Sequence, residues 1–336
     1  MFYRPARTAA IRGTGAFLPG PPLSNDDLIA RTGLRLTSDW IERHTGIRSR
    51  HWAADGLSTA DLAAYAARDA LAEAAVAPGA IERLILATIS GDWPTPATAC
   101  AVQAKLGARC PAMDINSACA GFLFALEYAL RSVETGVATA LVLGAEIRSR
   151  FVNHRDRRTA PIFGDGAGAA VLGPARSADE GFVGILLETE GAEEQLVLVP
   201  AGGAAEPATT ETVTAGRHYI QIRDPAELTR RGVTAMVELL DRACAAMGVA
   251  TGDLDLVVPH QANGVMLARI FGRVGVPPEK CLITIGETGN TVGAAIAIAL
   301  HRARRSPRWR PGALIALATL GGGYSGGVAF YRVPEL

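Results

Sequence analysis

The two halves of the chain carry the same order of strand and turn–helix patterns, and this repetition constrains the fold more than any other feature. The matched pairs are RLILATIS (83–90) with DLDLVVPH (253–260), INSACAGFLFALEYAL (115–130) with GETGNTVGAAIAIAL (286–300), and ATALVLGAE (138–146) with PGALIALATL (311–320). Their separation is nearly constant, at about 170 positions, as in an internal duplication. We therefore predict a duplicated α/β fold with an N-terminal half over 1–180 and a C-terminal half over 181–336.

Short apolar runs rich in branched residues alternate with helical patterns, which is typical of an α/β protein. Strands are predicted over 83–90, 111–116, 140–146, 255–260, 281–286 and 313–320, and helices over 58–76, 120–135, 226–247 and 291–304. Active sites of such folds lie at the carboxyl ends of the strands. Three residues with reactive or hydrogen-bonding side chains, Cys119, His260 and Asn290, occur at such ends. The repeat aligns Cys119 with Asn290.

Charge and composition exclude several classes of protein. The chain has 33 basic and 33 acidic residues, so no basic surface indicates a nucleic acid or membrane partner. The N-terminus has no apolar signal segment, and no apolar run reaches the ~18 residues that span a bilayer. Five scattered cysteines form no C-x-x-C pair and no metal-like cluster with histidine. We expect a cytoplasmic protein with reduced thiols and no bound metal.

Cys119 lies in DINSACAGF (114–122), between a predicted strand and a predicted helix. Small neighbours leave such a turn uncluttered, as around a nucleophile on a strand-to-helix turn. The partial positive charge at a helix N-terminus favours a thiolate. A packed structural cysteine is the alternative, since most cysteines in proteins have that role. The position predicts a nucleophile for acyl transfer.

His260 and Asn290 make the catalytic interpretation stronger. His260 ends an apolar strand in VVPHQAN, and Asn290 occupies a glycine-flanked turn in GETGNTVGAA. Alone, the histidine could be an ordinary packed residue and the asparagine an ordinary N-cap. Packing does not explain why all three residues occur at strand-end turns. We therefore predict Cys119, His260 and Asn290 as the catalytic residues.

Two glycine-rich segments have different predicted roles. FGDGAGAA (163–170) has a loose dinucleotide-loop pattern, but the acidic residue that should follow about 20 positions on is missing, so a nicotinamide enzyme is disfavoured. LGGGYSGG (320–327) follows a predicted strand, and its glycines allow backbone N–H groups to approach a ligand. We predict an oxyanion hole formed by the N–H groups of Cys119 and Gly323.

Together, SACAGF, FGDGAGAA, PHQAN, TGNT and GGG resemble 3-oxoacyl-acyl-carrier-protein synthase III, a condensing enzyme of the thiolase superfamily. The resemblance covers nearly the whole chain. It implies a five-layered αβαβα thiolase fold in a homodimer, acyl thioesters of coenzyme A or acyl carrier protein as substrates, acyl carrier protein as a partner, and no cofactor. It also implies that Cys119 is acylated, while His260 and Asn290 bind the second thioester carbonyl as malonyl loses carbon dioxide.

The resemblance further implies substrate-binding residues at the mouth of a pantetheine tunnel. Trp40 would stack on adenine with Arg157 on its other face, although a surface tryptophan packed by an arginine stem is the alternative. Thr45 and Asn263 lie in neighbouring family segments. Thr95 falls where the partner subunit usually supplies a bulky wall of the acyl pocket, which suggests a differently shaped pocket.

Further departures from the family pattern concern the substrate. His44 replaces the usual arginine beside the Thr-Gly-Ile-Arg run, and Gly264-Val265 follow HQAN where an arginine often touches the carrier protein. Condensation in polyketide or specialised fatty-acid-derived metabolism is the main interpretation.

Condensation of two long acyl chains, as in pyrone-forming or head-to-head relatives, and acyl transfer to a hydroxyl or amine are the alternatives. A non-catalytic partner subunit is disfavoured by the intact Cys119, His260 and Asn290.

Overall fold

The structure is a computed structural model that describes residues 2–191 and 196–335. The strands are β1 (Phe2–Tyr3), β2 (Ala9–Phe17), β3 (Leu23–Ser24), β4 (Ser49–Arg50), β5 (Arg83–Ala87), β6 (Ala112–Ile115), β7 (Ala140–Glu146), β8 (Gly166–Pro174), β9 (Gly181–Thr189), β10 (Val197–Leu198), β11 (Gln221–Ile222), β12 (Leu256–Pro259), β13 (Leu314–Leu320) and β14 (Ser325–Arg332). The helices are α1 (Asn25–Thr32), α2 (Ser38–Thr45), α3 (Thr59–Ala74), α4 (Thr98–Leu106), α5 (Gly121–Glu134), α6 (Thr210–Thr214), α7 (Pro225–Met247), α8 (Gly264–Val274), α9 (Ile285–Thr288) and α10 (Ala295–Ala303).

The two large sheets have the same topology over four of their five strands, as the repeat predicts. The first sheet has the order β2-β8-β7-β5-β6, and the second has the order β1-β9-β14-β13-β12. Starting from β2 in the first sheet and from β9 in the second, the next three pairings are antiparallel, antiparallel and parallel. The chain passes from the first sheet to the second between Pro174 and Gly181. The N-terminal strand β1 belongs to the second sheet, where it pairs with β9.

Helices and sheets stack in five layers. The middle layer consists of α5 and α10, whose apolar residues form one core with the facing sides of both sheets. The outer face of the first sheet is covered by α3 and α4, and that of the second by α7 and α8. Predominantly apolar helices are buried, and α10 is buried from Ala295 to Leu300, whereas α5 is buried on most of its surface and keeps Tyr128 and Arg131 exposed. The duplicated αβαβα thiolase fold is thus confirmed.

The repeated turns before the two middle helices match each other in a register that differs from the predicted one. Asn116 Oδ1 approaches the Ala118 N–H at 3.5 Å, and Asn290 Oδ1 accepts from the Val292 N–H at 2.8 Å. Ala118 and Val292 both have left-handed backbones, with φ of 47° and 50°. Asn290 therefore corresponds to Asn116 and not to Cys119. Both turns reach their helix five residues later, at Gly121 and at Ala295, so the two halves are offset by 174 positions here and not by the predicted 171.

Segment 281–286 does not form the predicted strand. Cys281 makes only an isolated bridge to Val257, and a helix begins at Ile285. The buried side chain of Gln261 replaces the missing strand pairing, because its Nε2 donates to Leu282 O and its Oε1 accepts from the N–H groups of Thr284 and Ile285. Periodicity could not show that a side-chain amide satisfies this backbone.

The FGDGAGAA segment leads into a strand that begins at Gly166 and does not form a phosphate-binding loop before a helix. It leads into β8, which continues to β9 and not to a helix. A Cβ at Gly168 would lie 2.5 Å from the Ala297 carbonyl carbon, and one at Gly164 would lie 2.3 Å from Thr288 O. Gly168 therefore allows α10 of the middle layer to pack closely against the first sheet, and Gly164 allows a close approach to α9.

Candidate active site

One cavity of about 520 Å³ receives residues from both halves of the fold. Its exposed mouth contains His44 and Arg157, and its inner end contains Cys119, His260 and Asn290. The three residues predicted to be catalytic therefore line the same space. They reach it because the turns after β6 and β12 and the turn before α10 all lie at the same end of the layered stack.

Cys119 occupies a single 3-10 turn, Ala118–Ala120, directly before α5. The left-handed backbone of Ala118 sets this turn, and such strain is typical of positions over-determined by a functional site. The N–H groups of Gly322 and of Cys119 itself face the thiol and favour its ionised form. Two such donors form an arrangement suited to an oxyanion.

The backbone N–H that faces the thiol from the C-terminal half belongs to Gly322, one residue before the predicted Gly323. Gly322 provides the N–H near the sulfur, whereas Gly323 has a left-handed backbone with φ of 69° and is not among the cavity residues. The sequence motif has three consecutive glycines, so only the path of the chain distinguishes them.

The environment of the thiol differs from the one that the helix terminus suggests. Burial and the Glu146 carboxylate raise the pKa of Cys119 to about 12, while Arg148 and the two N–H groups act in the opposite direction. The helix N-terminus therefore does not dominate, and the thiol of the empty site is protonated at neutral pH. Deprotonation has to accompany attack on the substrate.

Glu146 and Arg148 are buried charged residues beside the nucleophile that were not predicted from sequence. The Glu146 carboxylate accepts hydrogen bonds from Ser90 Oγ, from the Ile89 N–H at 3.2 Å and from the Gly293 N–H at 3.3 Å. Burial raises its pKa to about 7. The sequence signal for these residues was a pair of charges at the end of a fully apolar strand, in ALVLGAEIR.

His260 is neutral at physiological pH, because burial lowers its pKa to about 4. Only 2% of the residue is exposed, and its backbone N–H donates to Ala318 O at 2.7 Å at the end of β12. Its Nδ1 has no hydrogen-bond partner among the described residues. A neutral imidazole offers one N–H donor without placing a positive charge in the cavity.

Asn290 has a fixed amide orientation. Its Oδ1 accepts the Val292 N–H, so the amide NH₂ group is the end left for the cavity. Its backbone is held on both sides, by a donation to Ile162 O and an acceptance from the Gly164 N–H. Asn290 and His260 are therefore two neutral donors at one cavity.

Trp40 and Arg157 lie together at the mouth. The Arg157 guanidinium lies 5.4 Å from the centre of the Trp40 ring, and His44 stacks on that ring at 4.2 Å between centroids. Both partners are exposed at the mouth. Arg157 therefore contacts Trp40 directly, as in the alternative interpretation of a surface tryptophan packed by an arginine, and adenine binding by this pair stays a prediction. His44 is an additional aromatic neighbour.

Of the three other predicted binding residues, Thr45 and Asn263 line the cavity and Thr95 does not. Thr45 lines the cavity, and its hydroxyl donates to Ile41 O at 2.6 Å. Asn263 also lines the cavity, but its amide is engaged in capping α8 and donating to His44 O. Thr95 is exposed and is not among the cavity residues of this chain.

Within residues 2–191 and 196–335, His, Cys, Asp and Glu form no group of three or more that could hold a metal ion. No helix in this part of the chain is both long and apolar enough to cross a membrane.

Comparisons with known proteins agree with this geometry. Residues 113–191 match the family model for 3-oxoacyl-[acyl-carrier-protein] synthase III, and residues 244–333 match the model for its C-terminal part. A beta-ketoacyl-[acyl-carrier-protein] synthase III of Symbiobacterium thermophilum is 40% identical, with 97% of this chain and 98% of that protein covered. Acetoacetyl CoA synthase NphT7 of Streptomyces sp. strain CL190 is 40% identical, over 95% and 97% of the two chains. The crystal structure of the priming beta-ketosynthase from the R1128 polyketide biosynthetic pathway superposes with a TM-score of 0.88 at 30% identity, covering 99% and 98%.

Proposed function

Since the chain belongs to the 3-oxoacyl-acyl-carrier-protein synthase III family of condensing enzymes, we propose that Cys119 accepts an acyl group from a thioester and that His260 and Asn290 assist its condensation with a malonyl thioester. The observation that carries this proposal is the single cavity lined by all three residues, with the Cys119 and Gly322 N–H groups at the sulfur.

Acyl transfer begins at Cys119. The sulfur attacks the thioester carbonyl, the carbonyl oxygen becomes negatively charged, and the N–H groups of Cys119 and Gly322 are placed to stabilise it. The bond to the donor sulfur then breaks, and the departing thiolate takes up the proton that Cys119 loses. The product of this step is an acyl-Cys119 thioester.

Condensation follows when a malonyl thioester enters. Loss of carbon dioxide leaves an electron pair on the thioester as an enolate, whose oxygen His260 and Asn290 stabilise by hydrogen bonds. Each such donor is typically worth about 3 kcal/mol. The enolate carbon attacks the acyl carbonyl, a carbon–carbon bond forms, and the bond to Cys119 breaks to release the thiolate. With a pKa of about 12, this thiolate takes up a proton from water and becomes the thiol again. The low pKa of His260 keeps it neutral, so that it can donate without being a strong acid.

Intact-protein mass spectrometry tests both steps. The protein is incubated with acyl-coenzyme A and acyl-carrier-protein donors and is then chased with a malonyl thioester. We expect a mass gain at Cys119 that the chase converts into a 3-oxoacyl product. Cys119→Ala should lose the mass gain, whereas Cys100→Ala, which removes an exposed thiol on α4, should keep it.

The remaining variants separate the two half-reactions. His260→Ala and Asn290→Ala should still be acylated but should not discharge the acyl group by condensation. If the acyl group leaves Cys119 only for an alcohol or amine, the protein is an acyltransferase and not a condensing enzyme. If a product forms only with a 3-oxoacyl chase, the reaction is the condensation of two acyl chains. Absence of acylation with every donor would contradict the role of Cys119.

The same proposal includes a homodimer in the cytoplasm that receives substrate from acyl carrier protein and needs no cofactor. One relative is named a beta-ketoacyl-[acyl-carrier-protein] synthase III and the other an acetoacetyl CoA synthase. These two names support thioesters of acyl carrier protein or coenzyme A as substrates of this chain. A thiol and N–H donors suffice for the chemistry described. The exposed Trp93, beside Thr95, marks a surface that a second subunit could cover.

A further inference from the structure

Arg148 is a buried cation that lines the active-site cavity and has no acceptor. Only 1% of the residue is exposed, and its Nε and Nη2 atoms are enclosed without a hydrogen-bond partner among the described residues. Its guanidinium carbon lies 5.3 Å from the centre of the Phe151 ring and 5.9 Å from that of Phe163. Aromatic faces attract the cation but accept none of its N–H groups in the plane.

The nearby carboxylates are engaged elsewhere. Burial lowers the pKa of Arg148, and the charges of Glu146 and Asp165 act in the opposite direction. Neither carboxylate forms an ion pair or hydrogen bond with Arg148 within the described residues. The Glu146 oxygens accept from Ser90, Ile89 and Gly293. The Asp165 oxygens accept from the Ala53 N–H, the Ser149 N–H and the Ser149 hydroxyl. Among the described residues, neither Nε nor Nη2 of Arg148 therefore has an acceptor.

The unpaired atoms form the edge of the guanidinium that suits a carboxylate. Elsewhere in this structure, Arg230 uses its Nε and Nη2 to bind both oxygens of Glu227, at 2.8 and 2.7 Å, and Arg217 binds Glu206 through the same two atoms. Two parallel N–H donors match the two oxygens of one carboxylate. In Arg148 the Nε and Nη2 atoms of this edge have no hydrogen-bond partner among the described residues.

Arg148 is also close to the reacting sulfur. Its positive charge lowers the pKa of Cys119, and both residues line the inner end of the cavity. Arg157 and Arg158, by contrast, are exposed. An anionic group that meets Arg148 would therefore belong to an acyl unit near Cys119 and not to the coenzyme or carrier part of the donor. The malonyl unit also brings a carboxylate, and acylation rates measured without malonyl thioester separate it from the acyl chain on Cys119.

We propose that the acyl group carried by Cys119 ends in a carboxylate that Arg148 binds, so that the donor is a thioester of a short dicarboxylic acid. This inference rests on the proposed acylation of Cys119 and specifies its substrate class. Arg148 lines the cavity but its Nε and Nη2 atoms are enclosed by protein, so the proposal requires the guanidinium to turn toward the acyl group when that group binds. Arg148 is then a specificity-determining residue, since a methyl-terminated chain would leave the cation unpaired.

Acylation rates with matched donors test the proposal. Succinyl-coenzyme A, 4-methylpentanoyl-coenzyme A and succinamoyl-coenzyme A have acyl groups of nearly the same shape, and only the first carries a charge. We expect Cys119 to react with the succinyl donor about tenfold or more faster than with the others, by mass spectrometry at limiting donor. Arg148→Met should remove this preference, whereas Arg158→Met at the exposed mouth should keep it.

A binding measurement covers the case in which Arg148→Met does not fold. In Cys119→Ala, which has no nucleophile, calorimetry should show tighter binding of succinyl-coenzyme A than of the 4-methylpentanoyl analogue. Equal rates and affinities for the three donors, or a preference for the uncharged ones, would overturn the proposal while leaving acylation of Cys119 intact. A succinamoyl donor as good as the succinyl one would also overturn it, because a neutral oxygen would then suffice. If no donor acylates Cys119, the proposed function fails, and this inference fails with it.

Discussion

Gly321 lies against the backbone of Cys119, so closely that a Cβ on Gly321 would stand 2.8 Å from the Cys119 nitrogen and 3.0 Å from its Cβ. The contact joins the end of β13, in the C-terminal half, to the nucleophile turn of the N-terminal half. It brings the Gly322 N–H to the thiol. The C-terminal half therefore completes the environment of the nucleophile that the N-terminal half provides.

Gly321→Ala should impair acylation of Cys119 by at least about tenfold, because the added methyl group pushes the two backbones apart and misplaces the N–H donors. Gly272→Ala on α8 is the matched control, since its Cβ would meet no atom within 4 Å and Gly272 is not a cavity residue. Acylation rates from mass spectrometry and circular dichroism of both variants provide the comparison. Equal rates in the two variants would show that the close approach has no catalytic consequence.

Alkylation of Cys119 should accelerate with pH well beyond the usual range for a thiol. Its pKa is raised to about 12, so the thiolate fraction should grow about tenfold per pH unit throughout the range from pH 6 to 10. Iodoacetamide labelling followed by peptide mass spectrometry measures this rate, with the exposed Cys100 as the internal reference. A plateau for Cys119 near pH 8 would mean that the thiol is activated in the free protein.

Glu146→Gln should stabilise the protein, and more so as the pH rises. Burial raises the folded pKa of Glu146 to about 7 from an ordinary value of 4.5, so the folded state holds this proton more tightly than the unfolded state. The resulting loss of stability in the wild type develops between pH 4.5 and 7 and amounts to roughly 3 kcal/mol above that range.

Thermal unfolding at pH 5 and pH 8 measures the effect. We expect the difference in Tm between Glu146→Gln and wild type to be larger at pH 8. Exposed Glu211→Gln on α6 is a control that should show no such trend. A difference that is independent of pH would show that Glu146 is ionised in both states.

Gln261→Ala should destabilise the protein by about 3 kcal/mol, because the N–H groups of Thr284 and Ile285 would lose their shared acceptor in the interior. Urea unfolding gives the change in free energy. Gln103→Ala is a suitable comparison, since that side chain makes a single hydrogen bond, to Cys110 O at 3.1 Å, and should cost about 1 kcal/mol or less. Similar losses in both variants would mean that segment 281–286 does not depend on Gln261.

The layers and the positions of the candidate catalytic residues were accessible from sequence because they follow from local pattern. Branched apolar runs predicted β5, β7, β12 and β13, and helical periodicity predicted α3, α5, α7 and α10. The duplication was visible for the same reason, since each half repeats these patterns. Segment 281–286 was the exception, because its backbone is satisfied by the amide of Gln261, which lies 20 or more residues away in the chain.

The sequence by itself determined the duplicated α/β fold and the chemical types present at the strand ends: a thiol, an imidazole and an amide. Only the tertiary structure decided what surrounds them. It selected Gly322 over Gly323 as the N–H donor, placed Glu146 and Arg148 beside Cys119, and raised the pKa of the thiol. The physical reason is that hydrogen bonds, desolvation and charge interactions act across space, between residues of the two halves, whereas periodicity reports only which side of a strand or helix is buried.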